Sequence, residues 1–221
     1  MRNAIQIDGN IILTIDNAGC IGEKEADIVK VPNEIVAYFA TRVTLLEQWC
    51  AGAEPSHLLL ANFTGDAAWD DYVKGCQRQF DEIGKALPPI TGSTESNFSA
   101  LQSGFSLTMV GKKLLEPTTE NCHYFVIGQP LVGQQVMEHM QDIASLHELY
   151  TLWQAGIIQA IWPCGSKGIG TEITAFTGQA LSCELDMASS AGPATAVLVA
   201  VLEADIARLY KEISTPIYRL G

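Results

Sequence analysis

Apolar residues recur at two different spacings along this chain, and each spacing predicts one type of element. From residue 33 to residue 51 they return every three or four positions, which is the period of an amphipathic α-helix, and residues 69–83 repeat the pattern. Shorter apolar runs bounded by turn residues predict a hairpin of two strands at 5–13, with its turn at Asp8-Gly9, and strands at 57–63, 105–110, 123–127, 181–185 and 194–202. In the second half of the chain, further helices are predicted at 131–142, 146–155 and 203–213.

Strands and helices mix along the whole chain, which predicts an α+β or α/β fold. A length of 221 residues suffices for one large domain or for two small ones. The polar stretch at residues 116–121 interrupts the apolar pattern, so we expect two subdomains, at 1–118 and 119–221. No segment repeats with a period of 20–50 residues, so a solenoid or propeller is not predicted.

The charge balance argues against some classes of partner. Lys and Arg total 13 against 25 Asp and Glu, a net charge of −12, which repels phosphate backbones and acidic membrane surfaces. No run of 18 apolar residues is present, and the beginning of the sequence lacks the apolar core of a secretory signal. The six cysteines include no C-x-x-C pair, so no zinc site is predicted. We therefore expect a cytoplasmic protein with reduced cysteines, and neither nucleic acid nor membrane as a partner.

Two segments in the first half offer oxygen ligands. Residues 16–22 are interpreted as a loop in which Asp16 and Asn17 present hard oxygens, and the alternative is a hairpin exit held by Asx turns. At the end of the first predicted helix, Glu47 directly follows an apolar position, so it could border the buried face. The alternative for Glu47 is an ordinary surface glutamate.

Two further segments suit phosphate or Mg²⁺. Residues 92–97 combine three hydroxyls, one carboxylate and one amide, which can bind Mg²⁺ through oxygens or phosphate through backbone N–H groups; the alternative is a hydrophilic connection. Residues 165–170 are rich in glycine and contain Lys167, which suits an anion. The sequence contains no P-loop, no H-E-x-x-H and no G-x-S-x-G motif, and its four histidines form no ligand pattern.

In their order and spacing, these segments resemble the motifs of the aminoimidazole ribonucleotide synthetase (PurM-like) superfamily, which includes thiamine monophosphate kinase, selenophosphate synthetase and a hydrogenase-maturation protein. Residues 15–19 (I-D-N-A-G) stand where the family has G-D-D-A-A, and residues 46–55 end in A-G-A-E-P, like the family's helix-end motif. Residues 91–95 (T-G-S-T-E) stand for G-G-D-T, and residues 165–173 stand for the glycine-rich motif of the second domain.

The chain departs from the family at its acidic positions. The family's first acidic pair is Asp16-Asn17 here, and its helix-end Asp is Glu47. The Asp of the third motif is Ser93, with Glu95 two residues later, and the leading Asp of the last motif is absent. Because the family uses these acids to hold Mg²⁺ against ATP, the resemblance implies a thinner metal-binding set in this chain.

The resemblance also implies roles for individual residues. ATP and Mg²⁺ are the expected cofactors, with metal ligands at Asp16, Glu47 and Glu95. Residues expected against the nucleotide are Asn17, Gly19, Gly92, Ser93, Thr94, Asn97, Gly165, Ser166 and Gly168. The candidate catalytic residues are Glu47, Asp66 and Lys167, and the alternative for Asp66, which follows a strand, is a helix N-cap.

Within the superfamily, G-S-T-E-x-N followed by a short second half with G-S-K-G-I most resembles α-ribazole kinase. That resemblance implies ATP-dependent phosphorylation of the 5′-hydroxyl of α-ribazole in cobamide (vitamin B12) salvage. Two alternatives stay open: another ATP-dependent PurM-like enzyme, such as one resembling thiamine monophosphate kinase, and a non-catalytic nucleotide-binding protein. Since the superfamily pairs its N-terminal sheets, the resemblance also implies a homodimer.

Overall fold

The computed structural model describes all residues, Met1–Gly221, and divides into two compact units, Met1–Leu115 and Glu116–Gly221. The division falls at the polar stretch that separates the two halves of the sequence pattern. No helix in either unit combines the length and the apolar character that a bilayer crossing requires.

The first unit contains seven strands and two α-helices. In chain order these are β1 (Ile5–Ile7), β2 (Ile11–Gly19), β3 (Ile21–Gly22), β4 (Val29–Lys30), α1 (Asn33–Cys50), β5 (Ala53–Asn62), α2 (Trp69–Glu82), β6 (Ile90–Thr94) and β7 (Gly104–Lys113). Five of the strands form one sheet in the order β1-β2-β7-β5-β6, in which only the β5–β6 pair is parallel. The short strands β3 and β4 pair separately.

One face of the five-stranded sheet is covered by α1, which packs on β2, β5 and β7. Side chains alternate between the faces of a strand, so Leu58 and Leu60 are buried under the helix while Leu59 between them is 43% exposed. Ile15 of β2 is likewise 57% exposed. We call the uncovered side, with Ile15 and Leu59, the helix-free face.

Helix α2 packs on the outer side of α1, so that α1 lies between the sheet and α2. Its buried residues Tyr72, Cys76 and Phe80 follow one another at intervals of four, which places them on a single stripe. Gly75 lies on the same stripe, and a Cβ atom there would come within 2.2 Å of the Glu34 carbonyl oxygen of α1. Glycine therefore lets the two helix backbones approach closely. Because α1 is covered on both sides, it is buried along nearly its whole length.

The second unit is an antiparallel sheet with helices. Its elements are β8 (Cys122–Ile127), α3 (Gln134–Glu138), α4 (Leu146–Gln154), β9 (Ile158–Pro163), α5 (Ile169–Thr177), β10 (Val197–Leu202), α6 (Ile206–Glu212) and β11 (Ile217–Arg219). The strand order is β11-β8-β10-β9. The central strand β10 is a continuous apolar run that is buried on both faces. Val126 packs with Ile169 and Ile173 of α5, whereas the neighbouring Phe125 contacts Tyr210 of α6.

Several predicted elements differ from the structure. Residues 16–19 continue β2 instead of forming a loop, and residues 90–94 form β6 where a polar connection was expected. Both segments lack an apolar period because the strands carry small and polar residues there. Residues 181–185 are irregular, not a strand, although their apolar side chains pack on the core of the second unit. The predicted helix at 131–142 is reduced to α3 and a separate 3-10 turn.

Candidate functional site

Neighbouring residues Asp16 and Asn17 lie on opposite faces of the sheet. The sequence interpretation placed them together in a loop, and this is wrong because residues 16–19 belong to β2, whose side chains alternate. Asp16 is partly buried on the side of α1, and Asn17 is exposed on the helix-free face. The two oxygen groups therefore do not face one ligand together.

Asn17 begins a row of small residues that crosses the helix-free face. It pairs with Ser106 of β7, Ser106 pairs with Ala61 of β5, and Ala61 pairs with Ser93 of β6. Directly paired residues share a face, so Asn17 and Ser93 are the polar ends of one row with only small side chains between them. The structure thus places the predicted nucleotide-binding residues Asn17 and Ser93 in one row. The two residues between them, Ser106 and Ala61, were not selected from the sequence.

Gly92 has a packing role in β6, the strand that carries Ser93. A Cβ atom at this position would lie 1.9 Å from the Leu60 carbonyl oxygen, so only glycine fits beside β5. At Gly19, by contrast, a Cβ atom would meet nothing within 4 Å. The requirement for Gly92 is therefore explained by the sheet alone, and its contact with a nucleotide stays a prediction.

Asn62, at the end of β5, organises the loop that follows β6. Its carbonyl oxygen accepts from the Glu95 backbone N–H at 2.8 Å, and its Nδ2 donates to Thr94 Oγ1 at 3.2 Å. The Glu95 carboxylate accepts from the Asn97 backbone N–H at 2.8 Å, which closes a local turn. The third predicted segment is thus held in shape by a buried asparagine that the sequence pattern did not single out.

The same asparagine shapes the turn that carries Asp66. Asn62 Nδ2 donates to the Gly65 carbonyl oxygen at 2.9 Å, and Asn62 Oδ1 accepts from the Thr64 N–H at 2.9 Å. Gly65 has a φ of 116°, a conformation that favours glycine. Asp66 follows as the first residue of a 3-10 turn leading into α2, and it is exposed. Its role as base or ligand stays a prediction.

Glu47 is fully buried, not a residue at the border of the helix face. Its Oε1 contacts the Arg2 guanidinium in a short ion pair and accepts from Asn3 Nδ2 at 3.3 Å. Its Oε2 accepts from the Asn3 backbone N–H at 3.2 Å. The partners of Glu47 thus come from the beginning of the chain, which no sequence motif marked.

Asp16 lies near this ion pair and titrates close to neutral pH. Burial and, to a smaller extent, the Glu47 charge raise the pKa of Asp16 to about 7. The Asn17 backbone N–H and the Arg2 charge act in the opposite direction. Because burial and a neighbouring carboxylate both disfavour the charged form, Asp16 keeps its proton into the neutral range.

The predicted metal set is not assembled. No three His, Cys, Asp or Glu side chains lie together in an arrangement that could hold a metal ion, so Asp16, Glu47 and Glu95 do not form one cluster. Glu47 already has a cationic partner in Arg2, and both of its oxygens accept hydrogen bonds or charge from residues 2 and 3. The donor set at Glu47 therefore fits a guanidinium and does not fit a resident Mg²⁺.

The end of α1 is fixed on the sheet by Gln48. Its Nε2 donates to the Met109 carbonyl oxygen at 2.9 Å and to Thr14 Oγ1 at 3.1 Å, which ties the helix to β7 and β2. Its Oε1 lies over Gly111, where a Cβ atom would be only 2.0 Å away. This contact sets the position of Glu47, the preceding residue of the helix.

In the second unit, the glycine-rich segment is held by Glu172 of α5. The buried Glu172 carboxylate accepts from Trp162 Nε1 at 2.8 Å and from the Gly165 backbone N–H at 3.3 Å. Gly168 has a φ of 89°, so the chain turns there in a conformation that favours glycine. Sequence analysis named the segment but missed Glu172, whose position one turn into a helix after the glycines was the available signal.

The helix that follows this segment uses its first N–H groups internally. Ile169 N donates to the Ser189 carbonyl oxygen at 3.1 Å, and Gly170 N donates to the Met187 carbonyl oxygen at 2.9 Å. These two groups are therefore committed to the chain's own carbonyls. Ser166 and Lys167 are exposed just before them, so an anion would meet the lysine and the preceding turn.

Comparison by sequence identifies no relatives: no protein-family model matches the chain, and no curated protein matches it. Comparison of structures gives clear matches. The hydrogenase maturation protein HypE in complex with ATP superposes with a TM-score of 0.64 at 12% identity, covering 98% of this chain and 77% of that one.

Thiamine monophosphate kinase from Aquifex aeolicus is similar over 99% of this chain and 86% of its own, with a TM-score of 0.63 at 12% identity. A complex of that kinase with AMPPCP and TMP matches with a TM-score of 0.60, also at 12% identity, over 99% of this chain and 82% of its own. PurLQS from Thermotoga maritima has a TM-score of 0.54 at 13% identity, with 99% of this chain matching 36% of that one. The chain therefore has the mixed α/β PurM-like fold that these proteins share.

Proposed function

We propose that the protein is an ATP-dependent phosphotransferase of the PurM-like superfamily that acts on a small-molecule hydroxyl. The observation that carries this proposal is the fold itself. HypE and thiamine monophosphate kinase, which match along nearly all of this chain, have been crystallised with ATP and with AMPPCP, respectively. The segments that resemble the family's motifs follow in the family's order along the same fold.

The nucleotide is proposed to enter as MgATP, with the metal as part of the substrate. A chain with a net charge of −12 repels a free triphosphate, and Mg²⁺ on the phosphates reduces that repulsion. Phosphoryl transfer depends mainly on positioning and on neutralising charge, so neutral oxygens and backbone groups suit it. In the first unit, Asn17 and Ser93 offer such oxygens at the two ends of one row on the helix-free face.

Lys167 is the proposed phosphate contact of the second unit. It is exposed and follows directly on Gly165 and Ser166, whose turn Glu172 holds in place. Lys167→Ala is expected to raise the KM for MgATP by about tenfold, the effect of losing one charge-assisted contact. Lys112→Ala, which removes another exposed lysine, on β7, should leave the KM unchanged. An unchanged KM in Lys167→Ala would contradict this assignment.

The proposed acceptor is the 5′-hydroxyl of α-ribazole. This proposal rests on the resemblance of residues 92–97 and 165–169 to α-ribazole kinase. In the reaction, the acceptor oxygen attacks the γ-phosphorus of ATP, the bond to the β–γ bridging oxygen breaks, and the hydroxyl proton passes to a base. Asp66 is the candidate base, because it is exposed at the end of the Asn62 turn.

Mass spectrometry tests the acceptor. The protein is incubated with MgATP and one acceptor at a time, which is α-ribazole, thiamine monophosphate or a common nucleoside. We expect α-ribazole 5′-phosphate and ADP in equal amounts. Product from thiamine monophosphate alone would instead support the alternative of a PurM-like enzyme with another acceptor.

One observation favours a second candidate, a nucleotide-binding protein without catalysis. No three His, Cys, Asp or Glu side chains lie together as a metal site, and Glu47 is paired with Arg2. A protein of this kind would bind MgATP and form no product with any acceptor, so the binding and product measurements together separate it from the kinase.

We also propose that the chain forms a homodimer through the apolar part of the helix-free face, which lies beside the row from Asn17 to Ser93. Ile5, Ile11, Ile15 and Leu59 are each at least 43% exposed there. A shallow apolar depression of about 310 Å³ lies beside them between β5, β6 and β7, lined by His57, Leu59, Ile90 and Val110 among others. An apolar sheet face of this kind is a surface that association would bury.

A further inference from the structure

Glu47 carries a full complement of partners from one short segment of the chain. Arg2 and Asn3 together supply a guanidinium, a backbone N–H and a side-chain amide to its two oxygens. The Glu47 side chain is fully buried, and the Arg2 side chain is 15% exposed. A buried carboxylate without a cation or donors is strongly disfavoured, so these contacts are the condition for keeping Glu47 ionised inside the unit.

The segment that provides Arg2 is fixed at several points. The Arg2 backbone N–H donates to the Cys50 thiol, one turn beyond Glu47 on the same face of α1. A few residues later, Ile5 and Ile7 pair with Leu13 and Ile11 of β2. The guanidinium is therefore held against Glu47 by a segment attached to both the helix and the sheet.

A metal ion at Glu47 would meet this guanidinium. The ion would have to approach within coordination distance of a carboxylate that Arg2 already contacts, against the repulsion of a like charge in a poorly solvated site. Asp16 offers no simple substitute, because it feels the charges of the same ion pair on the helix side of β2. Glu47 thus has a counter-cation from the chain itself, without any ion from solution.

We propose that Arg2 replaces a metal ion at Glu47. The guanidinium is the chain's own counter-cation, built into the first unit, and Glu47 is a positioning residue for the N-terminal segment instead of a metal ligand. This ion pair belongs to the folded chain without nucleotide, and it does not depend on which acceptor or reaction the protein has.

Thermal unfolding of charge variants tests this proposal, with no nucleotide present. Arg2→Gln should lower the melting temperature by roughly 5–10 °C, because it leaves the buried Glu47 carboxylate without a cation. In a Glu47→Gln background, the same Arg2→Gln change should cost clearly less, since no buried charge is then left unpaired. Arg208→Gln, which removes the exposed Arg208–Glu212 pair, is the matched control and should shift the melting temperature by about 1 °C or less.

Binding of Mn²⁺ gives the second readout. Free Mn²⁺ is counted by electron paramagnetic resonance in the presence of wild type, Arg2→Lys and Glu47→Gln. We expect wild type and Glu47→Gln to bind the same amount of Mn²⁺, so that no site depends on Glu47. Arg2→Lys should bind this amount as well. Because Arg2→Lys keeps a cation at position 2, it preserves the test if Arg2→Gln fails to fold. A wild-type Mn²⁺ site that disappears in Glu47→Gln would overturn the proposal, as would a thermal cycle without coupling between positions 2 and 47. Coupling between positions 2 and 47 in the thermal unfolding of the variants supports the proposal.

Discussion

Asp16 on β2 interacts electrostatically with Glu47 on α1 and with the guanidinium of Arg2. The guanidinium forms its ion pair with Glu47. Burial and the Glu47 charge then raise the pKa of Asp16 to about 7. The proton that Asp16 keeps up to about pH 7 has a consequence for stability.

The stability of the protein should fall as pH rises from about 4 to 7. Asp16 has a raised pKa in the folded state, so the folded chain binds one proton more than the unfolded chain in that interval. The favourable contribution of protonated Asp16 to the free energy of unfolding is present at low pH, and it is lost as the pH rises through the pKa of Asp16 in the folded state. Asp16→Asn removes the titration and should be more stable than wild type at pH 8 by about 1–3 kcal/mol, with a smaller difference at pH 5.

Urea unfolding at the two pH values measures this effect. Asp8→Asn, which changes an exposed aspartate at the β1–β2 turn, is the control and should track the wild type at both. The same difference between Asp16→Asn and wild type at pH 5 and pH 8 would show that the Asp16 pKa is ordinary in the folded protein.

Gly111→Ala should destabilise the first unit by about 2–3 kcal/mol. The new Cβ atom would lie 2.0 Å from Gln48 Oε1 and 2.7 Å from the Glu54 carbonyl oxygen, so the end of α1 must move away from β7. Gly19→Ala has no atom within 4 Å of its Cβ and should change stability by less than about 0.5 kcal/mol. Equal unfolding midpoints for the two variants in urea would contradict the packing described for Gln48.

The long periodic elements were predictable from the sequence. Helices α1 and α2 follow a 3.6-residue apolar period, and β10 is an uninterrupted β-branched and aliphatic run. The end of β2 and residues 91–94 of β6 were not predictable as strands, because they carry small and polar residues like those of a loop. Their strand conformation comes from pairing with β7 and β5, which is a tertiary effect.

The candidate site was only partly predictable for the same reason. The order of the motifs identified the segments, but the faces on which their side chains lie depend on the register of strands distant in sequence. Arg2 and Asn62 were missed, since neither belongs to a motif and each acts on residues far along the chain. A buried ion pair between residues 2 and 47 leaves no pattern in a single sequence.

Glu172→Ala should destabilise the second unit by about 2 kcal/mol. The change leaves the Trp162 indole N–H and the Gly165 backbone N–H without the acceptor they now share. Glu184→Ala removes an exposed glutamate of the same unit and should change stability by less than about 0.5 kcal/mol. Guanidinium unfolding followed by tryptophan fluorescence measures both, and matching curves would show that Glu172 does not hold the glycine-rich segment.

The proposed homodimer predicts that a charge on the helix-free face causes dissociation. Ile15→Glu places a carboxylate in the centre of that face and should convert a dimer into a monomer in sedimentation velocity at micromolar concentration. Ile28→Glu changes a residue that is 80% exposed in the loop before β4, outside the helix-free face, and should leave the dimer intact. A wild-type protein that sediments only as a monomer would refute the proposed dimer.

Calorimetric titration with AMPPCP, with and without Mg²⁺, tests most directly whether this protein binds ATP. We expect saturable binding of the magnesium complex, and much weaker binding of free AMPPCP because the chain carries a net charge of −12. Lys167→Ala should weaken the binding, and Lys112→Ala should not. The absence of heat from either form of the nucleotide at millimolar concentration, with correctly folded protein, would contradict the proposed function.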